Sequence, residues 1–144
     1  MELALCLVYY TLKDIAQNNS ENAHNYNIAA CITVGKTRFY GWNSYDTHPF
    51  ARRELMCSST GLPVVNYCYH AEVHALQKAL RFTKKFKSAC VLIARVLADG
   101  RFTMAKPCEH CQRKMKDIGI NPSKITYTNW DGNLELANNV DKSA

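Results

Sequence analysis

An α/β sandwich around one sheet is the architecture this sequence predicts. Three observations carry it. Segments with helical period alternate with segments of strand character along the chain. No stretch repeats and no linker interrupts. Apolar residues make up 47% of the 144 and charged residues 21%, enough for one packed core and unlike a disordered chain. The length points to a single domain, residues 1–144. Element order alone fits either two layers or three.

The first element is a helix. Leu3, Leu7 and Tyr10, and a second group of Leu5, Leu12, Ile15 and Ala16, recur at near-3.6 spacing. Lys13 and Asp14 interrupt this start and no basic segment precedes it, so an amphipathic helix is expected rather than a signal peptide. No apolar run approaches the roughly 18 residues of a membrane span, and a cytoplasmic setting is expected. A polar loop, Asn18–Asn27, follows. Ile28–Val34 and Thr37–Asn43 read as a hairpin turning at Gly35-Lys36. Ser44–Tyr69, punctuated by Pro49, Gly61 and Pro63, reads as one long irregular segment, a kind that usually carries function. "HAEVHALQKALRF" is the second helix, turning Leu76, Ala79 and Leu80 inward. Ser88–Leu97 reads as a strand buried on both faces, and "ADGRF" as a turn. "CEHCQRKMKDIG" is the third helix, entered from Pro107 and closed by Gly119. Lys124–Thr128 is a strand, and "NWDG" leads into "NLELA", an antiparallel strand or extended stretch.

Seven cysteines do not read as a disulfide framework in an intracellular chain. Cys6, Cys31 and Cys90 are expected to be small buried hydrophobes. Cys108 and Cys111 alone are spaced like ligands. Three residues apart in a first helical turn, they face the same way, where the helix dipole favours thiolates. Such a pair is by itself ambiguous between a redox couple and half of a zinc site. No second pair lies downstream, so a third ligand must come from elsewhere, and His70 opens a helix as Cys108 does. Two helix N-termini meeting at one sheet end would bring His70, Cys108 and Cys111 to one ion. Three protein ligands leave the fourth tetrahedral position to water, and zinc suits the mixed N/S set. Glu72 then stands beside that water as a proton carrier. The chemistry implied is hydrolysis at a carbon that becomes tetrahedral, with loss of an amine.

"HAE" together with "PCEHC" matches H-x-E…P-C-x-x-C, the signature of zinc nucleobase deaminases. Over nearly its whole length the chain resembles the cytidine/deoxycytidylate deaminase superfamily, and looks most like deoxycytidylate deaminases and their viral relatives. The resemblance implies a three-layer α/β/α sandwich on a five-stranded mixed sheet. It implies His70, Cys108 and Cys111 as zinc ligands, Glu72 as proton shuttle, and the Ala71 backbone N–H as donor to the substrate carbonyl. "GWNS" resembles the family's G-x-N, which makes Asn43 a sugar or base contact; the alternative is a turn residue after a strand. Arg52, Arg53, Lys106 and His48 lie near the motifs and suit a phosphate, or are solvated. "NWDGNLELA" also looks like the last hairpin of cytidine deaminases, which leaves the direction of the final strand open.

Two histidines stand apart. His74 is expected to pack under the site or to donate a hydrogen bond to its ligands. His110 points to another face of its helix, towards solvent or substrate. The activity implied is conversion of dCMP to dUMP with release of ammonia, by a homo-oligomer, in the cytoplasm (a host's, if the chain is viral). One alternative is a deaminase of single-stranded nucleic acid. Its support is the net charge of +6 and the basic, aromatic-interleaved run "QKALRFTKKFK", which is equally a solvated helix flank. The other is a non-catalytic zinc module, which predicts no carboxylate where Glu72 stands.

Overall fold

The computed structural model describes residues 2–19, 27–45, 52–56, 63–97 and 99–137, with side chains for 8–16, 27–43, 70–97 and 99–137. Helix α1 (Glu2–Asn19) precedes the hairpin of β1 (Asn27–Val34) and β2 (Thr37–Trp42). Gly35 takes φ 62° at the turn, a left-handed conformation that glycine adopts without steric cost. Three strands follow: β3 (Ser44–Tyr45), β4 (Arg52–Met56) and β5 (Pro63–Tyr69). Then come α2 (Ala71–Phe82), β6 (Cys90–Val96), β7 (Phe102–Thr103), α3 (Glu109–Ile118), a 3₁₀ turn at Pro122–Lys124, β8 (Ile125–Thr128) and β9 (Leu134–Leu136).

The main sheet runs β2-β1-β6-β8-β9, with β7 paired to β6 as a short sixth strand. Strand β1 is antiparallel to β2 and β6, whereas β6 and β8 are parallel. The five-strand mixed sheet predicted from the sequence is this path. The last strand, left open above, is antiparallel: Tyr127 pairs with Glu135 across the β8–β9 hairpin.

Alternation on the central strands makes the layers three. Ala29 and Cys31 of β1, with Leu92, Ala94 and Val96 of β6, meet Val8, Leu12 and Ala16 of α1 on one face. Ala30, Ile32, Val91 and Ile93 turn to the other, against Ala75, Leu76 and Ala79 of α2 and Met115 of α3. A strand sends successive side chains to opposite faces, so a strand covered on both sides must be apolar throughout. In α1 the buried stripe is Val8, Leu12 and Ala16, spaced by four. Tyr10, expected in the apolar group, is 63% exposed.

Three expectations are corrected. The segment Ser44–Tyr69 is not irregular throughout. Strand β5 pairs antiparallel with both β3 and β4 in a separate three-stranded sheet. Pro49, Gly61 and Pro63 read as loop signals and obscured strands that pair with one another. Strand β7, two residues long, was hidden in a predicted turn. Cys90 is exposed, because it starts β6 at the sheet margin, while Cys31 is buried as expected. Cys6 lies outside the described side chains.

Gly41 fixes how closely the hairpin approaches α2. A Cβ there would overlap Ala75 N and Ala71 O and lie 2.9 Å from Ala75 Cα, all helix backbone. Backbone cannot swing aside as a side-chain tip can. Gly41→Ala is therefore expected to cost about 3 kcal/mol, the upper range for overpacking. Urea unfolding checks it; a midpoint equal to wild type would exclude the close approach.

Candidate active site

Strand β5 runs directly into α2 at His70, and the loop after β7 runs into α3 at Cys108. Both residues are N-caps in extended conformation, φ −76° and ψ 154° for His70, φ −68° and ψ 163° for Cys108. Their carbonyls accept the first helical hydrogen bonds, from His74 N (3.0 Å) and Gln112 N (2.9 Å). Neither side chain caps its own helix. A Ser or Asp at these positions would turn back to the free N–H groups; a histidine and a cysteine leave theirs pointing outward.

The loop that carries Cys108 is tied to β8. Ala105 N donates to Thr128 O at 2.8 Å, and the buried Thr128 hydroxyl donates to Thr103 O at 2.6 Å. Gln112 Nε2 donates to Pro107 O at 2.8 Å. The result is that His70 Nδ1 lies 3.5 Å from Cys108 Sγ and 3.2 Å from Cys111 Sγ. All three donor atoms lie within 4.8 Å of one another. A tetrahedral zinc with Zn–S near 2.3 Å and Zn–N near 2.0–2.1 Å separates its nitrogen and sulfur donors by about 3.6 Å. The donor set and its spacing fit zinc, the metal of this site.

The electrostatics of the group fit a cation. Hydrogen bonding with Cys111 and with His70 holds the Cys108 thiol down at about 3 although burial opposes this. Cys108 is thus a thiolate at neutral pH. Glu72, in the first turn of α2, is only 4% exposed. Burial pushes its carboxyl above the ordinary carboxylate range. His70, its own backbone N–H and a hydrogen bond from Cys111 pull the other way. A buried carboxylate held against the group is not expected of a site selected for stability alone.

Asn43 joins this region through the backbone. Strands β3 and β5 pair Ser44 with Tyr69, so the next step of that register brings Asn43 beside His70. Asn43 Oδ1 accepts from Ile28 N at 3.2 Å, closing the open end of the β1–β2 hairpin. Ala71 is the first residue of α2, so its N–H has no acceptor four residues back. His48 lies outside the described residues. Arg52 pairs with Tyr67 in the β4–β5 ladder, on the far side of that sheet from β3, and its side chain is outside the description, as is that of Arg53. Lys106 is exposed two residues before Cys108.

His74 packs against β2. Its Nδ1 accepts from Trp42 N at 3.2 Å, and its ring meets the Trp42 indole edge-on, centroids 4.6 Å apart. His110 is half-buried on α3 and outside the group of three. In the basic run, Phe86 is 2% exposed and belongs to the core. Phe82 is 61% exposed and leans on Phe39, ring centroids 5.4 Å apart. Sequence reasoning missed Gly41 and Lys78. No local signal pointed to them, since their contacts join segments more than 30 residues apart.

No curated protein matches the chain. Among solved structures, it is similar to the dCMP deaminase of the cyanophage S-TIM5. Against the apo form the TM-score is 0.56 at 17% identity, covering 90% of this chain and 86% of that one. Against the complex with dCMP and dUMP it is 0.55 at 16%, covering 90% and 85%. At this identity the likeness is one of fold. No helix among the described residues is long and apolar enough to cross a membrane. The model of the cytidine and deoxycytidylate deaminase zinc-binding region matches residues 7–127, so the chain belongs to that family.

Proposed function

We propose that the protein hydrolytically deaminates a cytosine nucleotide, dCMP to dUMP with release of ammonia. The observation that carries this is the His70–Cys108–Cys111 group with the buried Glu72 carboxyl against it. His70 Nδ1 and the two thiolates hold zinc, which when bound supplies Lewis acidity and lowers the pKa of water to about 7. Glu72 moves two protons in turn: one from the attacking water to the ring nitrogen of the base, then one from the hydroxyl so formed on the carbon to the amino group, which leaves as ammonia as the carbonyl forms. A carboxyl raised by burial is matched to both halves of such a transfer. The Ala71 N–H, at the positive end of α2, binds the base carbonyl. Asn43 binds the sugar, and Arg52 and His48 are the candidates for the phosphate. The likeness to an enzyme solved with dCMP and dUMP supports a nucleotide over a free nucleoside.

Of the aromatic run behind the single-stranded nucleic acid reading, Phe86 is in the core and Phe82 is exposed, so a DNA substrate is what separates the two readings. A non-catalytic zinc module would have no use for a buried carboxylate.

A panel of dCMP, cytidine and single-stranded DNA, assayed for uracil product with zinc-loaded protein, is the test. Turnover of dCMP at least tenfold above cytidine in kcat/KM is expected, since a phosphate contact contributes about 1.5–3 kcal/mol. Product from DNA alone, or from none of the three, would sink the proposal.

A further inference from the structure

We infer that His74 is a positioning residue: with Lys78 it clamps the outer edge of β2 onto α2 and thereby sets where Asn43 meets the substrate. This rests on the reading of Asn43 as a substrate contact.

Strand β2 is the end strand of the main sheet among the described residues. Backbone groups two residues apart in a strand point the same way, so Tyr40 and Trp42 share that outer edge. No further strand of this sheet takes those groups; α2 does. Trp42 N donates to His74 Nδ1 at 3.2 Å, and Lys78 Nζ donates to Tyr40 O at 2.7 Å. His74 and Lys78 are four residues apart, one above the other on the same helix face. Gly41, between the two clamped residues, presents no side chain and lets the helix backbone come into contact. The Trp42 ring closes the arrangement. His74 meets it edge-on, and the Lys78 ammonium sits 4.3 Å from its centroid.

The clamp ends one residue before Asn43. The same helix carries Glu72 in its first turn and has His70 as its N-cap. The separation between the group that would bind the sugar and the groups that act on the base is therefore set by the His74–Trp42 hydrogen bond. The Asn43 Oδ1 bond to Ile28 N fixes the remaining side of the residue and leaves its Nδ2 as the donor to orient. His74 acts through Trp42 and Asn43.

Steady-state kinetics and zinc content of His74→Leu, His74→Asn and Asn43→Asp test this. Leucine fills the site without an acceptor; asparagine places its Oδ1 near the position of Nδ1. Asn43→Asp keeps the oxygen that Ile28 N uses and removes the donor. His74→Leu should keep one zinc per chain and raise KM for dCMP about tenfold, with kcat within about threefold, the effect of one lost hydrogen bond to substrate. His74→Asn should restore KM. Asn43→Asp should raise KM similarly, and the Leu/Asp double variant should be no worse than Asn43→Asp. Should the leucine variant not fold, Lys78→Met removes the clamp's outer hydrogen bond and should shift KM in the same direction. An unchanged KM in His74→Leu, a fall in kcat alone, or no rescue by asparagine would overturn the clamp while leaving deamination intact. An unchanged KM in Asn43→Asp overturns it through its premise. A zinc-loaded wild type without activity on any nucleotide overturns the functional reading and the clamp together.

Discussion

Glu72→Gln is expected to bind one zinc per chain and to lose turnover by about a thousandfold or more. Glutamine has the shape of glutamate, so the first turn of α2 and the three ligands stay in place. It cannot accept and return a proton. Metal analysis and single-turnover product formation check the two halves of this expectation. Turnover within tenfold of wild type would remove Glu72 from the proton path. The same substitution has a second consequence for the metal-free protein. Burial holds the folded-state carboxyl above its unfolded value. Between those two values the folded protein binds more protons than the unfolded one, so stability falls as pH rises from the ordinary carboxylate range upward. A neutral amide removes that slope. Metal-free Glu72→Gln should therefore unfold at higher temperature than metal-free wild type at pH 7, and equally or lower at pH 4. Gain of stability with loss of activity is the expected mark of a residue kept for chemistry.

Cys108→Ser is expected to abolish zinc binding and, with it, the stabilisation that zinc provides. The pair Cys108 and Glu72 places a thiolate and a buried carboxyl in one site. Bringing two acids together away from water is tolerated when a cation sits between them. Zinc at a thousand times its Kd contributes about 4 kcal/mol by mass action. Chelation of wild-type protein should lower the thermal midpoint, and zinc should restore it. The serine variant should respond to neither chelator nor zinc. A variant that still titrates one zinc, or a wild type indifferent to chelator, would show that Cys108 is not a ligand.

The candidate site was legible in sequence because its parts are local. His70 and Glu72 share one helical turn, Cys108 and Cys111 share another, and each turn begins at a strand or loop end marked by its neighbours. The two-sided burial of β6 was legible because Val91, Leu92, Ile93 and Ala94 are apolar in succession; element order left open whether the layers were two or three. The pairing of β5 with β3 and β4 was not legible. Its register is a property of segments up to 25 residues apart (Ser44 with Tyr69), and nothing periodic in either segment announces it. Tyr10 was misplaced because a helical wheel gives a face but not which neighbour covers it.

The sequence by itself located the groups of the candidate site: two thiols, an imidazole and a carboxyl, at two helix starts. Helical period and N-cap conformation are short-range properties, written within four or five residues. Tertiary structure alone decided the distances among those groups and the role of His74. In one dimension the same histidine reads as packing under the site or donating to its ligands. In three, Gly41 brings β2 against α2, and His74 accepts from the Trp42 backbone, 32 residues away in the chain. That contact depends on how a strand and a helix pack, which no local pattern specifies.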